Sequence, residues 1–212
     1  MRKAVIGIVL GLAGTAAADE VVIAALGDSL TQGYGLPAEQ GFVAQLQAWL
    51  DAEGAEVRLI NAGVSGDTTA GGLARVGWTL TPEVDAMIVA LGGNDLLRGL
   101  DPGQARANLA GILDAAAAAE VEVLLVGMEA PGNYGPDYKA AFDAIYPDLA
   151  GAYGSLYLPS FFAGLQEDGE TPDPARLRPF LQADGIHPNA EGVARIVAGI
   201  GPSVRATPSA FG

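Results

Sequence analysis

The sequence has no cysteine and a single histidine, His187. Without thiols there is no disulfide framework, and one imidazole leaves no ordinary ligand set for zinc or another transition metal. Any acid–base step at neutral pH that uses a histidine must therefore use His187. Basic residues are also scarce, 11 Lys and Arg against 25 Asp and Glu, for a net charge of −14. Residues 1–18 hold two of those bases, Arg2 and Lys3, and no acid, so residues 19–212 stand at −16. A surface of that sign repels phosphate backbones and argues against nucleic acid as a partner.

Long apolar runs are missing too. Residues 1–18 offer only a short one, Val5-Ile6-Gly7-Ile8-Val9-Leu10, behind two basic residues and ahead of Ala16-Ala17-Ala18. A spanning helix needs ~20 apolar residues, so this pattern reads as a secretory signal peptide with an A-x-A site and no stable membrane anchor. Cleavage is expected after Ala18, which places the mature chain, residues 19–212, in the periplasm or the medium.

What is present is an α/β pattern. Half of the residues are hydrophobic, and 212 residues suit one domain with a large core. Apolar runs at Val21 to Leu26, Val57 to Ile60, Ala86 to Leu91, Val121 to Val126 and Ser155 to Leu158 read as strands. Helical spacing fills the gaps: Phe42 to Ala52, a short helix from Gly71 to Gly77, Gln104 to Ala119 and Pro136 to Tyr153. A last helix, Ala190 to Ile200, is expected behind an Asn189 cap, with a frayed tail after Pro202. Alternating strands and helices predict βαβ units, hence a three-layer αβα sandwich around a parallel five-stranded sheet. Pro159 to Ala183 shows little periodicity and is expected to be an irregular excursion.

The chemistry collects where strands end. Ser29 follows the first strand in Gly27-Asp28-Ser29-Leu30, and ligands of open α/β sheets bind at that edge. A serine attacks a carbonyl only if a base takes its proton and donors hold the resulting oxyanion. His187 lies in Asp184-Gly185-Ile186-His187-Pro188, where Pro188 favours an extended backbone and Asp184 is near enough to hold Nδ1. Gly66 offers a backbone N–H unshielded by a side chain, and Asn94, in Gly92-Gly93-Asn94-Asp95, offers an amide. Together with the N–H of Ser29 these make three oxyanion donors. Asp28, Asp67 and Asp95 lack the three-residue spacing to His187 and are expected to cap and brace loops. Leu96, Leu97, Leu100, Met128, Pro131 and Tyr134 follow the third and fourth strands and are expected to line a shallow acyl groove.

These four blocks, in this order, resemble those of the SGNH, or GDSL, hydrolase superfamily. Asn61 to Thr69 and Asn133-Tyr134-Gly135 with Ala144-Ile145-Tyr146-Pro147 are similar to its thioesterase and arylesterase branch, and the likeness runs from about Ala24 to Ile200. The resemblance implies a flavodoxin-like strand order of 2-1-3-4-5. It implies Ser29 as nucleophile, His187 as base, Asp184 as its orienter, and Ser29, Gly66 and Asn94 as oxyanion donors. It further implies hydrolysis of small-molecule or lipid-derived acyl esters and thioesters, with no cofactor. A monomer is the plainest expectation.

Two other classes meet the same residues. Gly33-Tyr34-Gly35-Leu36-Pro37-Ala38 matches the dinucleotide fingerprint formally, but it starts several residues past the strand, contains Pro37, and has Asn61 where a ribose-binding acid belongs. A non-catalytic acyl- or carbohydrate-binding protein on this fold is the alternative to an enzyme, and it gives no reason for serine, histidine and aspartate to occur together.

Overall fold

The computed structural model describes residues 20–165 and 174–207. The expected signal segment lies outside these residues. Five strands form one parallel sheet in the order β2-β1-β3-β4-β5: β1 (Val21–Gly27), β2 (Val57–Gly63), β3 (Ala86–Ala90), β4 (Glu122–Val126) and β5 (Leu156–Leu158). β1 and β3 are central, and their apolar residues are buried on both faces, as a parallel sheet under two helical layers requires.

The helices are α1 (Ser29–Gln32), α2 (Phe42–Ala52), α3 (Thr69–Thr79), α4 (Gly93–Leu97), α5 (Pro102–Ala118), α6 (Pro136–Asp143), α7 (Ile145–Tyr153), α8 (Pro174–Leu177) and α9 (Ala190–Ala206). α2 packs with α9, while α5 packs with α3, α6 and α7. The core between these groups and the sheet is built on Ile23, Leu26, Leu46, Met87, Ile88 and Leu109.

Three expectations are corrected. The helix from Pro136 to Tyr153 is two helices meeting at Ala144, because Pro147 has no N–H to offer the carbonyl of Asp143. Helix α9 does not fray at Pro202 but runs through it to Ala206, since Gly201 and Val204 are buried against the core and outweigh one missing bond. Short helices α1 and α4 replace what read as loop; four or five residues are too few to show a period.

Register positions the site. Gly27 pairs with Gly63 on one side and with Ala90 on the other, so β1, β2 and β3 end level. The strand order reverses at β1, and the crevice between β1 and β3 is where such sheets take ligands. Helix α1 turns back across these ends at close range. A Cβ at Gly27 would fall 2.0 Å from Thr31 Oγ1, and one at Gly63 would fall 2.4 Å from the Gln32 nitrogen.

Leu46 of α2 is fully buried. Leu46→Ala is expected to lower unfolding free energy by about 2–5 kcal/mol in urea titration, through lost transfer energy and a residual cavity. Activity per folded molecule should be unchanged, because Leu46 packs beneath the sheet rather than at its carboxyl edge.

Candidate active site

Ser29 is the first residue of α1, and Asp28 caps that helix by accepting the Leu30 N–H at 3.0 Å. The cap holds Ser29 at the very end of β1 rather than part-way along a loop. Its hydroxyl lies 2.9 Å from His187 Nε2, and His187 Nδ1 lies 2.7 Å from Asp184 Oδ2. The first of these contacts joins residues 158 positions apart in sequence, and the second joins residues three apart.

The turn that carries His187 is closed by its own backbone. Asp184 Oδ1 accepts the N–H groups of Ile186 at 2.9 Å and His187 at 3.0 Å, which leaves Oδ2 for the imidazole. A bridge between Leu181 and Pro188 brackets the turn, and Gln182 Nε2 donates to the carbonyls of Tyr34 and Pro188. The Tyr34 ring packs on the imidazole at 4.6 Å between centroids. With Asp184 ionised, Nδ1 carries the proton and Nε2 is free to accept one from Ser29.

The backbone N–H of Ile186, then the His187 ring and N–H, hold the Asp184 carboxyl down at about 2. It is therefore ionised at neutral pH. Asp28 is the opposite case: burial pushes its carboxyl up to about 6, against the pull of the Leu30 N–H, the Asn94 amide and His187. Asn94 Nδ2 donates to Asp28 Oδ2 at 3.3 Å.

Gly66 and Asn94 arrive from the strands on either side of β1. Gly66 takes φ +84°, a region an L side chain resists, and its carbonyl accepts from Arg98 Nη2 at 2.8 Å. Asn94 sits in the first turn of α4. Its neighbour Asp95 is buried and holds the N–H and hydroxyl of Thr69 at 2.9 and 2.7 Å, with Asn108 completing the network. Asp67 pairs with Arg75 at 2.6 Å, and the same guanidinium donates to the carbonyls of Ala62 at 2.7 Å and Gly27 at 2.8 Å. Arg75 thus ties the ends of β1 and β2 to the residue after Gly66. All three flanking aspartates cap or brace, as their spacing suggested.

The expected groove divides. Leu96 and Met128 are in the buried core, because adjacent residues of α4 face different ways and only Leu97 turns outward. Leu97, Leu100, Pro131 and Tyr134 are exposed, and the Tyr134 hydroxyl reaches the Leu97 carbonyl at 3.5 Å. Sequence reasoning missed Arg75, Tyr34 and Gln182. Nothing in their spacing marks them, since each has at least one partner distant in sequence: Gly27 for Arg75, Tyr34 for Gln182 and His187 for Tyr34.

Residues 25–195 match the model of the GDSL-like Lipase/Acylhydrolase family. The chain belongs to that family. It is 40% identical over 181 residues to the esterase TesA of Pseudomonas aeruginosa, covering 85% of this chain and 86% of that protein. It is also 40% identical over 178 residues to the thioesterase 1/protease 1/lysophospholipase L1 of Escherichia coli strain K12, covering 83% and 78%. Among solved structures, the psychrotrophic esterase EstA from Pseudoalteromonas sp., inhibited by monoethylphosphonate, superposes with a TM-score of 0.78 at 30% identity, covering 89% of this chain and 98% of that one. The family's acyl chemistry is what the Ser29, His187 and Asp184 geometry is suited to perform.

The raised Asp28 carboxyl has a stability consequence. The folded state binds this proton more tightly than the unfolded chain does, so stability from Asp28 is full below its ordinary value near 3.8 and is lost as pH rises through about 6. At neutral pH the burden is about 3 kcal/mol relative to an unshifted carboxyl. An asparagine in its place would not titrate and would keep the cap. The melting temperature of Asp28→Asn minus that of the wild type should therefore increase between pH 4 and pH 7 in thermal scans; a constant difference would refute it.

Proposed function

We propose that this chain is a serine hydrolase that cleaves acyl esters and thioesters through an acyl-enzyme. The observation that carries this reading is the series from Ser29 Oγ to His187 Nε2 at 2.9 Å and from Nδ1 to Asp184 at 2.7 Å. His187 takes the Ser29 proton as Oγ attacks the acyl carbonyl carbon. The backbone N–H groups of Ser29 and Gly66 and the Asn94 amide hold the oxyanion, and Asp184 stabilises the imidazolium. His187 then protonates the leaving alcohol or thiol as its bond to the acyl carbon breaks. In the second half His187 deprotonates water, which attacks the acyl-enzyme, and the acid departs as Ser29 regains its proton. No step calls for a metal or cofactor.

Substrates of lipid-derived or aryl ester type fit the family names and the exposed apolar side chains of Leu97, Leu100, Pro131 and Tyr134, which would receive the acyl group. Residues 1–18 direct export, with cleavage after Ala18, and the mature domain works as a monomer. Its export would separate it from cytosolic acyl-CoA and favour exogenous esters. Among the described residues, no helix is long and apolar enough to cross a membrane.

Hydrolysis of p-nitrophenyl esters of increasing acyl length tests the nucleophile. Wild-type protein should turn these over and react with a fluorophosphonate, whereas Ser29→Ala should do neither; equal activity in both would remove Ser29 from the mechanism. The wild-type rate should fall on acidification, because a protonated His187 cannot accept the Ser29 proton. Leu97→Asp probes the groove with the same ester series. A charge there should shift preference toward short acyl chains, and an unchanged profile would take Leu97 out of the groove.

A further inference from the structure

We propose that Asp28 is a positioning residue for the oxyanion hole, its carboxylate fixing which end of the Asn94 amide faces the reacting carbonyl. This rests on the reading of Asn94 as an oxyanion donor. Asp28 is 2% exposed, and its two oxygens have different tasks. Oδ1 caps α1 through the Leu30 N–H, which any short polar residue could do. Oδ2 reaches Asn94 in the first turn of α4, 66 positions away, and capping does not account for it.

The chemistry of the two groups makes the contact directional. An ionised carboxylate only accepts hydrogen bonds, so the NH2 end of Asn94 must face it. One N–H is used on Asp28, and the second, on the same nitrogen, remains for the oxyanion. A flipped amide would set its carbonyl oxygen against Oδ2, two acceptors with no proton between them, and would present no donor to the oxyanion through that nitrogen. Gly93 keeps the approach open, since a Cβ there would lie 3.2 Å from Oδ2.

A buried charge is an expensive way to cap a helix of four residues. An asparagine or serine would cap equally well without desolvating a charge, but neither would enforce the amide's direction. With its carboxyl near 6, Asp28 is ionised at neutral pH; the titratable group acting on it is His187, across the crevice, and Asp28 in turn helps to raise the buried Tyr146 phenol of α7.

A double-mutant cycle on the full chain tests this, with kcat and KM measured for Asp28→Asn, Asn94→Ala and the pair on a p-nitrophenyl ester. In Asp28→Asn the new NH2 group meets Asn94 and turns its carbonyl end inward. The kcat should fall about 100-fold, as for loss of one oxyanion donor, with KM little changed. In the Asn94→Ala background the same substitution should change kcat by less than about twofold, because the group it acts through is gone. An equal effect in both backgrounds overturns the proposal and leaves Asp28 as a cap. An Asn94→Ala protein with wild-type kcat overturns the oxyanion reading and the proposal with it, which separates the two failures. If Asp28→Asn does not fold by circular dichroism, Gly93→Ala, which crowds Oδ2, replaces it: kcat falls in the wild-type background and holds in Asn94→Ala, and any other pattern is a refutation.

Discussion

The site depends on three parallel strands ending level. Hydrogen bonding in the sheet forces Gly27 beside Gly63 and beside Ala90, so the segments carrying Ser29, Gly66 and Asn94 leave from adjacent points. Neighbouring strands lie about 4.8 Å apart, so the segments leaving β2 and β3 start about one strand spacing to either side of Ser29. A one-residue slip of β2 or β3 would move Gly66 or Asn94 by roughly 3 Å and turn the strand's side chains to the opposite face. Sheet register, fixed by the apolar core far below, is thus what holds the geometry at the edge. Arg75 reinforces it by binding the carbonyls of Gly27 and Ala62 with one guanidinium and Asp67 with the rest of its fork.

Above that frame the charges are sorted by environment. Asp184 sits at the surface and is held low by two backbone N–H groups and the imidazole, so it remains an anion that can support a cation at His187. Asp28 sits in the interior and is pushed up by burial. Their contacts differ accordingly: Asp184 meets a ring whose charge changes, whereas Asp28 meets an amide that never ionises. One carboxyl held at about 2 and another pushed up to about 6 thus stand in one crevice, the first an anion throughout the range near neutrality and the second ionised only above about 6.

Much of this is legible in the chain itself. Strands read themselves out because β1 and β3 are buried on both faces and therefore continuously apolar. The single histidine needed no choice among candidates. The three-residue step from Asp184 to His187 is local, and local spacing survives in sequence. What could not be read acts across the fold. Arg75 touches Gly27 from 48 positions away, and Gln182 touches Tyr34 from 148. Leu96 and Leu97 look alike in the chain, and only the turn of α4 sends one to the core and the other to the surface. Pro147 and Pro202 are the same residue type in similar apolar settings, yet one splits a helix and the other does not. Residues beyond both prolines are buried, Leu149 and Ala150 in α7 and Val204 in α9; what differs is place, since Pro147 stands in the first turn of α7, where its missing N–H costs nothing, and Pro202 inside α9.

The same reasoning accounts for why the interior tolerates Asp28. Marginal stability makes a buried carboxylate a large burden, and natural chains keep such groups where another constraint outweighs it. Here its neighbours limit the burden without removing it: the Leu30 N–H and the Asn94 amide both stabilise the anion, and each belongs to a segment that leaves the carboxyl edge of the sheet. The stabilisation and the placement are one set of hydrogen bonds. The raised carboxyl is the consequence of a burial that these two donors only partly offset.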